Sequence, residues 1–326
     1  MQPTRWPLRR VSLAIAVVAV VPYVALKLMW LGGSTIGTTG DAGAAEMSDT
    51  RFVVGNLVTV ALMVLALAFV FAVTRPSARR VPAWLVLVLG AGATGLLAPI
   101  LVGLPLGLAV QFLVDGAVGP ADDTGLAPWV FGVVYTGFGL LAAAMAVVVA
   151  GYVLDRWGHL LTEPPPRPSP LASLAGALGL LPFGAAMVCW GVLGPGATGP
   201  QGMDLPAQRS VLIVTGAMSV AAFVVPFLGA RSSRWPRNAW LITWTGACVT
   251  ALQAPAQILL AQDGGVRPAV TLVAVMATPG SVIYGLWLLR QHLAPADTDD
   301  TPSHGHAAHR RDVRVVPDAG QSESVR

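Results

Sequence analysis

The chain has 326 residues, of which 55% are hydrophobic and 11% charged, with a net charge of +4. Soluble domains carry about 25% charged residues, and here the charges leave apolar stretches long enough for membrane spans, each about 20 residues; a soluble domain is excluded. The positive balance does not point to nucleic acid, because the arginines sit in short loops beside the apolar runs, where they set orientation.

Arg5, Arg9 and Arg10 precede an apolar run over residues 11–31. No small-x-small cleavage pattern closes a short core, so the run reads as an uncleaved first span. It contains Pro22-Tyr23-Val24-Ala25-Leu26-Lys27-Leu28-Met29-Trp30, which holds the only lysine in the chain. A polar loop with Asp41, Glu46 and Asp49 leads to span 2, residues 52–73, closed by Arg75, Arg79 and Arg80. Span 3 covers residues 82–104 with Pro99 inside it. Residues 106–114 stay apolar, but a helix through them would measure roughly 50 Å at helical rise. The pattern predicts a break near Pro105 and a short interfacial or re-entrant segment. The acidic loop Asp115, Asp122, Asp123 leads to span 4, residues 129–154, closed by Asp155 and Arg156.

Residues 162–170 hold five prolines and predict an extended, semi-rigid connector. Spans 5 to 8 follow at residues 171–193, 211–230, 239–261 and 269–289; Arg231, Arg234 and Arg237 close span 6 and Arg290 closes span 8. Residues 291–326 are polar and aperiodic and read as a disordered tail. Apart from Lys27, Arg51, Arg209 and Arg267, every cation lies on the amino end, after an even-numbered span, or in the tail. Both termini are therefore expected in the cytoplasm of a cell-membrane protein.

The chain repeats itself. Pro22, Tyr23, Ala25 and Trp30 find counterparts in Pro182, Phe183, Ala185 and Trp190, while Lys27 becomes Met187. Ala83-Trp84-Leu85, Gly90-Ala91, Thr94, Leu96 and Ala98-Pro99 recur as Ala239-Trp240-Leu241, Gly246-Ala247, Thr250, Leu252 and Ala254-Pro255, nine identities in 17 ungapped positions. The predicted fold is all-α: eight transmembrane helices as two parallel-repeat four-helix halves, residues 1–161 and 171–290, related by an axis along the membrane normal.

Lys27 is the one ionisable side chain inside a span. A charge at the bilayer centre costs about 3 kcal/mol, and two placements are open. Its stem can snorkel to the interface beside Trp30, or it can face the seam between the halves, paired with Asp41, Glu46, Asp49, Asp115 or an anionic ligand group. Tyr23 and Trp30, in the same segment, are candidate ligand-binding residues beside it. In span 7, Thr243, Gly246, Thr250, Gln253 and Gln257 share one face; the first-half counterparts of Thr243, Gln253 and Gln257 are Leu87, Leu97 and Leu101. That stripe either lines a water path or hydrogen-bonds a neighbouring helix. Gly132, Thr136, Gly139 and Ala143, and likewise Ala274, Thr278, Ser281 and Gly285, read as close helix contacts. Cys189 and Cys248 lack metal or redox spacing and read as packing residues. His304, His306 and His309 fall in the tail, where no metal site is expected. No Asp, Glu or His lies inside a span, so neither a cofactor nor a catalytic centre is expected.

The Pro-Tyr-x-x-x-Lys-x-x-Trp segment running into Gly32-Gly33-Ser34 resembles an uncharacterised family of multi-span membrane proteins from high-GC actinobacteria. The resemblance implies that the Lys27 stretch is a signature; it brings no activity or ligand. Two functions stay open. One is binding or transport of a small solute or lipid between the halves, with Lys27 at the outer mouth and Thr250, Gln253 and Gln257 along the wall. The other is a non-catalytic accessory or sensor subunit acting through a membrane protein partner.

Overall fold

A computed structural model describes residues 5–40, 50–116, 125–228, 234–259 and 266–293. Asp41, Glu46, Asp49, Asp122, Asp123, Arg231 and everything from residue 294 onward, including His304, His306 and His309, lie outside the described residues. Among the described residues, eight long helices make up the body: α1 (Arg5–Leu31), α2 (Thr50–Thr74), α3 (Ala83–Asp115), α4 (Pro128–Trp157), α5 (Pro170–Leu193), α6 (Pro206–Val224), α7 (Trp235–Leu259) and α8 (Pro268–Leu293). Local chemistry sets their ends. α4, α5 and α6 open on proline, whose missing N–H is no loss in a first turn and whose fixed φ suits the helix. At the start of α5, the Ser169 hydroxyl oxygen accepts from the Ala172 N–H at 3.3 Å, the usual N-cap bond. α1 stops at a glycine-closed turn. Ser34 N–H donates to Met29 O at 2.9 Å and Gly33 N–H to Trp30 O at 3.0 Å, with Gly33 at φ 85°, a conformation that side chains with a Cβ resist.

Seven of these helices are long and apolar enough to cross a membrane, so the chain is a multi-pass membrane protein. The exception is α7, as long as the rest but made more polar by Arg237, Asn238, Gln253, Gln257 and its threonines. It packs against α3, α5, α6 and α8, which leaves less of its surface to meet lipid.

In the first half, α1 packs on α2 and α4, and α4 on α3; α2 also touches α4 but meets α3 only sparsely. In the second half, α5 packs on α6 and α8, and α7 on α6 and α8. Between the halves, α3 lies on α6 and α7, and the eight helices form one packed unit. The first core gathers Tyr23, Val70, Leu141, Met145 and Val148; the second gathers Leu180, Trp240, Tyr284 and Leu288. At the arginine-rich ends, Arg9 pairs with Asp155 at 2.5 Å, and Tyr152 OH donates to Ala78 O at 3.0 Å. The proline connector is not a free spacer. Pro165 and Pro168 are buried, Trp240 Nε1–H donates to Glu163 O at 3.0 Å, and His292 Nε2 lies 2.6 Å from Leu160 O.

The break expected near Pro105 does not occur. α3 runs unbroken through both Pro99 and Pro105, and its far end is held by tertiary packing. A methyl group at Gly107 would sit 2.9 Å from Ala207 Cα, and one at Gly103 would sit 3.1 Å from Val211 Cα. Bare glycines thus let α3 lie directly on α6, and that contact carries the helix past the second proline. The last helix likewise continues through Gln291 and His292 to Leu293, beyond the expected start of the tail.

Candidate functional site

Lys27 lies one turn before the end of α1. The buried face of that helix runs through Ala16, Val20, Tyr23, Leu26 and Trp30, the three-and-four spacing of a helix stripe, and Lys27 stands at its edge, half-buried. Its Nζ donates to Asn56 Oδ1 on α2 at 2.6 Å. The same nitrogen is 4.6 Å from the ring centre of Trp30, 5.4 Å from that of Tyr23 and 5.5 Å from that of Phe52, all within cation–π range. Each wall of this cage is itself held. Trp30 Nε1–H donates to Ile36 O at 2.8 Å, Phe52 tilts against Trp30 at 5.7 Å, and Tyr23 meets Phe138 edge-on at 5.0 Å. Asn56 is 3% exposed. A roof covers this end: Thr39 N–H donates to Gly125 O at 2.9 Å and Ala127 N–H to Gly37 O at 2.8 Å, while Thr38 bridges Leu126.

The cage lies between α1 and α2, within the first half, so Lys27 does not face the seam. Of the acids considered as partners, Asp115 is exposed at the end of α3, and Asp41, Glu46 and Asp49 fall outside the described residues. Asn56 and Phe52 were not legible as partners from charge patterning. A usable signal exists, since Asn56 is the only asparagine deep inside an apolar run, and such a side chain seeks a polar partner across helices.

The stripe on α7 divides among separate tasks. Thr250 Oγ1 lies 2.6 Å from Ser219 Oγ on α6 and 2.9 Å from Gly246 O, and Ser219 Oγ donates in turn to Leu180 O on α5 at 2.8 Å. Gln253 Nε2 donates across the seam to Gly95 O at 3.2 Å. That carbonyl stands four residues before Pro99, which has no N–H to give it. Pro255 likewise frees Ala251 O, and Thr278 Oγ1 on α8 donates to it at 3.1 Å. Gln257 borders a crevice of about 10 Å³ with Gly199, Gln201 and Arg267, close to the space of a single water. Thr243 is 2% exposed, and its hydroxyl has no partner among the described residues. Among the described residues, Thr250 and Gln253 of the stripe thus bond helix to helix. Gly95 faces Leu252 Cδ1, which would lie 2.7 Å from an added methyl, so α3 and α7 meet there by direct contact.

The small-residue stripes differ in the same way. On α8, Ala274 and Ser281 are buried, as expected of a helix contact. On α4, Gly132, Thr136 and Ala143 are exposed and face outward, because the other side of that helix faces the core.

In the second half, Phe183, Met187 and Leu212 pack into one apolar cluster with Trp190 at its edge. In sequence, the first two and Trp190 align with Tyr23, Lys27 and Trp30. Leu212 stands to Asn56 as Ala239 stands to Ala83 and Arg231 to Arg75, at one constant offset along the chain. Compared with protein-family models, curated proteins and solved structures, the chain finds no match in any of the three.

Proposed function

We propose that the protein is a non-catalytic binder or carrier of a small anionic solute or lipid, with its site at Lys27 in the first of two duplicated halves. The halves each cross the cell membrane four times, and both termini lie in the cytoplasm. The observation that carries this reading is the paired exchange of Lys27–Asn56 for Met187–Leu212. An apolar contact suffices to join the first two helices of the second half. The first half uses an ammonium–amide pair at the same place, although a charge in the apolar layer is costly. An ammonium has three N–H donors; Asn56 takes one, and the others suit an anionic acceptor. The seam, bridged by glycine contacts and by Gln253, is the less suitable place.

The test is purification of the full chain in mild detergent, followed by native mass spectrometry of the wild type and the Lys27→Met/Asn56→Leu variant. The wild type is expected to retain a small molecule or lipid that the variant loses while keeping its melting temperature. Equal retention by both proteins overturns the site. A second reading, a non-catalytic accessory subunit, draws on the sparse contact of α2 with α3 and on its outward Val53, Val54, Leu57 and Leu62. A stoichiometric protein partner in the same purification would favour it.

A further inference from the structure

We infer that the group held by Lys27 is the phosphate of a membrane phospholipid, entering sideways between α1 and α2; this rests on the binding role proposed above. Depth is the first argument. Lys27 lies one turn, about 5 Å, inside the end of α1, close enough to that end for its long stem to carry the ammonium to headgroups. Access is the second. The strand-like pairing of residues 37–39 with residues 125–127 covers this end of the bundle and ties down Trp30 through Ile36, yet Lys27 remains half-exposed. Next to Lys27 and Asn56 in the chain, Leu28 on α1 and Leu57 on α2 are exposed, as is Val53 beside Phe52, an apolar surface suited to acyl chains.

Donor chemistry is the third. The ammonium is a compact point charge of the kind that binds phosphate, and its direction is fixed by Asn56 at 2.6 Å. Asn56 is buried and serves as acceptor for one N–H of the ammonium, which leaves the other ammonium donors for a ligand. A phosphate with several acceptor oxygens matches such a donor set. The surrounding rings of Tyr23, Trp30 and Phe52 hold the cation in position without competing as anions.

The experiment uses the full chain in mixed micelles of detergent with phosphatidylglycerol, with diacylglycerol of the same chains, or with inorganic phosphate alone. Lys27 is the only lysine, so acylation by an amine-selective ester, read by peptide mass spectrometry, reports on this side chain without any substitution. Phosphatidylglycerol is expected to slow Lys27 acylation by about tenfold or more, as bound ligand shields a site, and to raise the melting temperature of the wild type but not of Lys27→Met/Asn56→Leu. Equal protection by diacylglycerol assigns the effect to the chains, and equal protection by inorganic phosphate assigns it to a soluble anion; either overturns the phospholipid. Absence of protection in all three micelles also overturns it. In that case, native mass spectrometry separates the two proposals. A different molecule lost from the variant leaves the binding role standing, and no such molecule removes both.

Discussion

The Lys27 ammonium and the Asn56 amide are each expensive alone in an apolar layer, and the 2.6 Å bond between them makes each the other's compensation. Removing one partner strands the other, so the double substitution should cost less than the single ones. Asn56→Leu alone is expected to destabilise the protein by roughly 3 kcal/mol, because it leaves a half-buried ammonium without its acceptor. Lys27→Met/Asn56→Leu, which installs the pair found at Met187 and Leu212, is expected to lose less than about 1 kcal/mol. Thermal unfolding of the four proteins in one detergent closes the cycle; additive losses would show that the two side chains are independent. Thr243 gives the opposite case. Its hydroxyl is buried without a partner among the described residues, so Thr243→Val should raise stability by about 1 kcal/mol, the desolvation cost of an unmade hydrogen bond. A lower melting temperature would mean that the hydroxyl is satisfied in the membrane. At this scale the sequence exposed the lysine, since a lone charge in an apolar run is conspicuous. It concealed the cage, because Phe52 and Asn56 reach Lys27 only through the packing of α2 on α1.

Among helices, prolines and their freed carbonyls decide which contacts matter. Proline inside a helix costs about 3 kcal/mol, partly by orphaning the carbonyl four residues back, and in lipid no water can take over. Gln253 supplies the donor for Gly95 O from another helix, and Thr278 does so for Ala251 O. Gln253→Leu, which places there the residue type that Leu97 has in the sequence alignment, should therefore cost about 1 kcal/mol. The cost should shrink in a Pro99→Ala background, where the substituted residue can return its own N–H to Gly95 O. An unchanged cost in that background, measured by thermal unfolding, would show that Gln253 acts through packing alone. The need for such donors was readable from Pro99 and Pro255. Their identity was not, because it depends on which helix lies alongside. The same blindness explains α3: Pro105 is a sound local reason to stop a helix, and the contact of Gly103 and Gly107 with α6, invisible along the chain, outweighs it.

For the whole molecule, hydropathy located the helices well because length and apolarity are properties of each segment by itself. Their arrangement is a property of pairs. The seam offered itself as a binding place through its polar stripe alone; the packing of α3 on α6 and α7 is what the stripe could not show. The number of crossings turns on α7, whose polar residues place it below the apolarity of the other seven helices. Its buried position argues that it crosses nonetheless. Trp240, Ala247, Val249 and Ala254 face neighbours, and a helix enclosed by four others has little lipid surface to keep apolar. Two of its polar groups find protein partners instead: Thr250 meets Ser219 and Gln253 meets Gly95 O. With α7 crossing, the chain passes the membrane an even number of times, and reporter fusions at the amino and carboxyl ends should both report the cytoplasm, the side that the arginine distribution also selects. With α7 lying outside the membrane, the count becomes odd and the two reporters must disagree. That disagreement would also end the parallel duplication, because two halves that cross four times each cannot leave their ends on opposite sides.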